Sequence, residues 1–225
     1  DDKILTAWNA LMISALAYGG RVFENKEYIK RAKDAYDFIK NNLVRKDGRL
    51  LARFRHGEAA YIAYLEDYSF LVWALIELYE ATFESKFLKE ALYFQDEMIK
   101  LFWDEKSYGF FHSGKDGEKL ILNLKDSYDT AIPSGNSVAA MNLIKLSKIT
   151  GDNSLVEKAY KMINGFGGNI KESLQSHSVF LMAYMNYIRP SRQIIIASNK
   201  EDKVFNDMIR EVNKKFKIGR ASCRE

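Results

Sequence analysis

Apolar residues return every three or four positions along most of the chain, the spacing of one face of an α-helix. Leu5, Trp8, Leu11, Met12, Ala15 and Leu16 predict a first helix, and Tyr28, Ile29, Ala32, Ala35, Tyr36 and Ile39 predict a second that ends near Asn41-Asn42. A third is predicted from about Asp67 to Ala81, apolar on nearly all sides through Leu71, Trp73, Leu75, Ile76 and Leu78. Four more follow, at roughly Phe87 to Leu101, Asn136 to Ile149, Leu155 to Phe166 and Ser178 to Ile188. The first, third and fifth are apolar nearly all round and suit an inner layer. The second, fourth and sixth keep a polar face and suit an outer one.

An internal repeat supports this pairing. Tyr28-Ile29-Lys30-Arg31-Ala32, Phe87-Leu88-Lys89-Glu90-Ala91 and Leu155-Val156-Glu157-Lys158-Ala159 align, with their alanines 59 and 68 residues apart. Those spacings are longer than the periods of about 33–47 residues found in tetratricopeptide, ankyrin or armadillo solenoids. Turns within a pair are short, as at Thr82 to Lys86 and Thr150 to Ser154. Connections between pairs are long, from Val44 to Leu65 and from Asp104 to Ser134. Short turns at one end and long loops at the other predict part of an α/α toroid, an all-α fold spanning residues 1–190. In the second long loop, Tyr108 to His112 and Leu120 to Leu122 flank Lys115-Asp116-Gly117, which predicts a short β-hairpin insertion. After Pro190, Arg192 to Ser198 reads as a buried strand and Lys203 to Lys215 as an amphipathic helix, a small α/β appendage over residues 191–217.

Composition narrows the class. With 47% hydrophobic residues, 13 Gly and 2 Pro in 225 residues, the chain is neither low-complexity nor disordered. No apolar run reaches the ~18 residues of a membrane span. The 34 basic and 30 acidic residues are interspersed, for a net charge of +4, so neither a membrane nor a nucleic-acid partner is expected. Residues 218–225, Ile218 to Glu225, match the translation of a common sequencing adapter and contain Cys223, the single cysteine. Excluding that stretch removes any thiolate chemistry, and the chain is expected to be a gene fragment. No metal or cofactor is expected, since His pairs at zinc spacing and calcium-loop acids are absent. With no targeting segment visible, a cytoplasmic location is the default.

Four polar and aromatic clusters fall at the starts of the inner helices and hence at one end of the ring. They are Asp1, Asp2 and Lys3 with Thr6, Trp8 and Asn9; Glu66-Asp67-Tyr68; Asp126-Ser127-Tyr128-Asp129 leading to Pro133-Ser134-Gly135-Asn136-Ser137; and Gln175-Ser176-His177. Carboxylates accept hydrogen bonds from vicinal hydroxyls and aromatic faces cover a pyranose ring, so the set suits a sugar or polyol ligand. Glu66, Asp67, Asp126 and Asp129 are the candidates for a general acid and base in glycoside hydrolysis. A 2-epimerase would need a base, for which His177, before an inner helix, is preferred to the loop residues His56 and His112. The other reading is structural: Thr6, Asp67, Ser134 and Asn136 are also good helix caps.

At these clusters the chain resembles the YyaL-like, thioredoxin-domain-containing proteins related to spermatogenesis-associated protein twenty. The resemblance rests on Asp1 to Asn9, Leu65 to Tyr68, Phe102-Trp103-Asp104 with Tyr108 to Phe111, Asp126 to Ser137, and the Gln193 to Ile196 strand. It implies a six-hairpin, glycosidase-like (α/α)6 toroid similar to N-acylglucosamine 2-epimerases, of which this chain holds the later hairpins. It also implies an upstream thioredoxin-like domain, and a pocket lined by Asp1, Asp2, Trp8, Asn9, Glu66, Asp67, Asp126, Asp129, Ser134 and Asn136. The clusters themselves add Tyr68 and Tyr128 as ligand contacts. Ala10, where relatives usually have Gly, and Ile132 before Pro133 depart from the family pattern. Two functions follow as expectations: sugar binding or modification, epimerase-like or hydrolase-like, or a helical scaffold serving the thioredoxin-like domain.

Overall fold

The computed structural model describes residues 2–118, 120–190, 194–196, 203–213 and 221–223. Asp1, the ends of the strand and helix expected after Pro190, and much of the adapter-like tail lie outside the described residues. The helices are α1 (Thr6–Val22), α2 (Lys26–Asn42), α3 (Leu65–Thr82), α4 (Ser85–Phe102), α5 (Gly135–Thr150), α6 (Asn153–Gly165), the short α7 (Gly167–Glu172), α8 (Ser178–Ile188) and α9 (Lys203–Asn213). The inner layer is α1, α3, α5 and α8, each packed on the next, while α2, α4 and α6 lie outside. This is the expected α/α architecture, with a turn of 3-10 helix at Leu174–His177 added before α8.

Burial explains the layering. In α3 every residue from Tyr68 to Tyr79 except Trp73 is buried, whereas α2 buries only Ala32, Tyr36 and Ile39. The repeated alanines Ala32, Ala91 and Ala159 are completely buried. Each is the seventh residue of its outer helix, where a small side chain lets the helix approach the inner layer. Enlarging one overpacks that contact. Ala91→Val should therefore cost about 1–2 kcal/mol, seen as a lower urea midpoint with an unchanged slope. Deeper along the ring, buried Glu77 on α3 pairs with Lys145 on α5 at 2.7 Å and with Arg21 on α1 at 3.5 Å. One carboxylate thus joins three inner helices.

The β-hairpin occupies the first long connection, not the second. Strands β1 (Ile4–Leu5), β2 (Leu51–Arg55) and β3 (Glu58–Ile62) form an antiparallel sheet in that order. His56 and Gly57 turn the hairpin with φ of 50° and 80°, the paired positive values that a two-residue turn matched to strand twist requires. In the second connection Asp116-Gly117 does turn the chain, with Gly117 N donating to Gly114 O at 3.0 Å. Asp116, however, is held by the buried Arg49 at 2.7 Å. The Asn123 side chain bonds both backbone groups of Ser113 where a strand ladder would have formed. After Pro190 come β4 (Ile194–Ile196) and α9, with β5 (Ala221–Cys223) parallel to β4.

Candidate functional site

The first turns of α1, α3, α5 and α8 and the long connections meet at one end, as the hairpin layout requires. Two aspartates fasten these helices together. Asp67 Oδ1 accepts from Ala7 N in the first turn of α1 at 3.0 Å, and its Oδ2 accepts from Tyr64 N, just before α3, at 2.9 Å. Asp129 repeats the arrangement: Oδ1 accepts from Ser134 N at 3.0 Å and Oδ2 from Val179 N in α8 at 2.8 Å. Helix N-termini favour such carboxylates. Burial still dominates at Asp67 and pushes its carboxyl up to about 7 against the pull of the two amides. With all four oxygens committed to backbone, the geometry favours capping over acid–base chemistry for both residues.

Other expected site residues are also committed. Asn136 is completely buried; its Oδ1 accepts from Phe110 N at 2.8 Å and its Nδ2 donates to Phe110 O and Asp126 O, both at 2.9 Å. Ser134 Oγ caps α5 by accepting from Ser137 N at 3.0 Å. Tyr68 is buried, its hydroxyl accepting from Leu50 N at 3.1 Å and from Arg49 Nη1 at 3.2 Å. His177 is fully buried as well. Its Nδ1 lies 2.7 Å from Ser173 O, which can only accept, so Nδ1 carries the proton and Nε2 accepts from Ser127 Oγ at 3.1 Å. The imidazole preferred from sequence as an epimerase base is therefore sealed, with Tyr128 packed against it. Asp2 contacts Arg55 at 2.8 Å and His56 at 2.9 Å, while Asn9 Nδ2 donates back to Leu5 O.

What remains open is a smaller group. Glu66, in the first turn of α3, is half-buried, and Asp126 and His112 lie within electrostatic reach of it. Burial raises its carboxyl above the usual carboxylate range; Asp126 adds to the rise and His112 opposes it. Gly135 makes room for this side chain, since a Cβ there would stand 2.8 Å from Leu65 Cγ and 3.3 Å from Glu66 Cγ. Asp126 is exposed and is shaped by an Asx turn, Oδ1 accepting from Tyr128 N at 2.9 Å. His112 stacks on Tyr64 with ring centroids 4.9 Å apart. Exposed aromatic faces at this end are Trp8, Tyr64 and Tyr128, and Trp8 is 62% exposed despite its size. His112 is the residue that sequence reasoning undervalued, because only the fold brings it beside Glu66, where it stacks on Tyr64.

No family model matches the chain. Human spermatogenesis-associated protein 20 is 34% identical over 213 residues, covering 90% of the chain. The chain is a homologue of spermatogenesis-associated protein 20. It spans only 27% of that relative's length. Among solved structures, a cellobiose 2-epimerase from Bacillus thermoamylovorans superposes with a TM-score of 0.63 at 15% identity, over 95% of this chain and 61% of that one. A GH76 α-mannanase from Bacteroides thetaiotaomicron gives 0.67 at 12% identity, over 94% and 56%. At such identities the likeness shows the fold, a six-hairpin glycosidase-like toroid. Among the described residues no three metal-ligating side chains gather, and no helix is long and apolar enough to cross a membrane.

Proposed function

We propose that the loop end of the inner helices binds a sugar or polyol, and that Glu66 exchanges a proton with it. The observation that carries this is the contrast between Glu66 and its neighbours. Asp67 and Asp129 have both oxygens on backbone amides, whereas the Glu66 side chain sits where Gly135 leaves room and its carboxyl has no hydrogen-bond partner among the described residues. A carboxyl raised by burial beside a second carboxylate suits a proton donor in glycosidic or carbonyl-adjacent chemistry. Asp126 is that second carboxylate, His112 is the accessible imidazole, and Trp8, Tyr64 and Tyr128 supply faces for the ring of a sugar. Fold relatives whose names refer to cellobiose epimerisation and mannan breakdown lend the reading further support.

In the full-length protein, screened against mono- and disaccharides, Glu66→Gln should lower turnover of a converted sugar by about 100-fold while leaving its binding nearly unchanged. The reading fails if no sugar binds or if the variant turns over like wild type. Absence of sugar binding would favour a helical scaffold serving an attached thioredoxin-like domain, whereas unchanged turnover would remove only the role given to Glu66.

A further inference from the structure

The β2–β3 hairpin brings three basic side chains to the loop end, and they are not equivalent. Asp2 engages two of them, Arg55 at 2.8 Å and His56 at 2.9 Å. Arg53 is left over. Among the described residues its guanidinium has no hydrogen bond or ion pair, and its Nε is shielded from water without a partner. Its contact is with the ring of Tyr61, whose centroid lies 4.7 Å from Cζ. Tyr61 itself is held at a φ of 63°, a backbone conformation that bulky residues rarely adopt, and its side chain is exposed.

A guanidinium with one face against an aromatic ring and its donors unused has a specific complement. It can stack and still offer two parallel N–H groups to a carboxylate or a phosphate. A partly buried cation with no counter-charge is also unfavourable until an anion arrives. The location ties this group to the site already described. β3 runs through Ala63 and Tyr64 straight into α3, so Tyr61 precedes Glu66 by five residues. That is at most about 18 Å of chain, within the length of a short oligosaccharide.

We propose that Arg53, backed by Tyr61, is the anion-recognition residue of this site, so that the carbohydrate it takes is an acidic one carrying a carboxylate or a phosphate. This rests on the carbohydrate reading above and adds the substrate class to it. Arg53 acts in binding and selection, and the proton exchange stays with Glu66.

Isothermal titration of the full-length protein with glucuronate, glucose 6-phosphate, glucose and inorganic phosphate tests the assignment. Both or one of the acidic sugars should bind about tenfold or more tighter than glucose, because a donor pair left unfilled penalises the neutral ligand. The tighter of the two names the anion. Arg53→Gln should bring acidic and neutral sugars to parity, Arg53→Lys should keep part of the preference, and Glu66→Gln should leave the preference intact. Glucose binding as tightly as the acidic sugars overturns the role of Arg53 and leaves the sugar site standing. So does a preference that survives Arg53→Gln. Inorganic phosphate matching glucose 6-phosphate overturns the acidic sugar in favour of a bare anion. Binding of none of the four overturns the acidic-sugar assignment, and the carbohydrate reading itself then stands or falls on the wider screen of mono- and disaccharides.

Discussion

Asp67→Asn should lower the thermal midpoint by about 6–12 °C, the equivalent of about 3 kcal/mol in a domain of this size. The carboxylate accepts one amide from α1 and one from the residue before α3. Asparagine keeps a single acceptor and turns an NH2 group toward the other amide, so a donor faces a donor in a buried place. The same residue gives the variant a pH signature. Burial moves the folded-state carboxyl from 3.8 to about 7, so between those values the folded chain holds a proton that the unfolded chain has shed. The resulting stabilisation is complete below about pH 4 and is lost as the pH rises through about 7. Wild type should therefore lose more stability than Asp67→Asn between pH 5 and pH 8 in calorimetry. Comparing the two proteins cancels groups such as Asp104, whose carboxyl a hydrogen bond from Lys125 holds low. Equal pH slopes would refute the assignment.

Asn136→Asp should be at least as damaging, costing about 3–4 kcal/mol at neutral pH although the two side chains have the same shape. Asn136 is completely buried, accepts from Phe110 N and donates to the carbonyls of Phe110 and Asp126. An aspartate there still accepts, but it opposes both carbonyls with a charged oxygen. Protonation returns one donor, so urea midpoints of this variant should recover partly between pH 7 and pH 5, by more than the gain in the same direction expected in wild type from Asp67. Because Asn136 holds the backbone of Asp126, sugar binding should weaken even under conditions where the variant is fully folded. A variant that unfolds at the wild-type urea concentration would show that Phe110 and Asp126 find other partners.

Helical periodicity was enough to place the seven main helices and sort them into two layers, because burial in this fold follows a single repeating contact. Ala32, Ala91 and Ala159 show how directly: their alignment in sequence is their equivalence in space. The hairpin was harder to place. Asp116-Gly117 is the stronger turn dipeptide, yet Asp116 is engaged by Arg49, whereas His56-Gly57 carries no strong sequence signal and makes the tighter turn. The clusters at the helix starts were recognisable as special, but residue type could not separate fastening from chemistry. Asp67, Asp129, Ser134 and Asn136 knit helix ends to loops. Glu66 becomes distinct from Asp67 only when the chain has brought up Asp126, 60 residues later, and His112, 46 residues later. Separations of that length leave no local trace.

The paired bonds of Asp67 and Asp129 also bear on how the ring folds. Asp67 spans α1 and α3, which belong to different hairpins, and Asp129 reaches across from α5 to α8 in the same way. A lone hairpin thus leaves a helix start uncapped until its neighbour docks. Linear arrays of repeats can fray from an end one unit at a time, since each repeat is stabilised mainly by its own contacts and one interface. Here the loss of one hairpin exposes the helix ends of the next, so adjoining hairpins should melt in a single cooperative step.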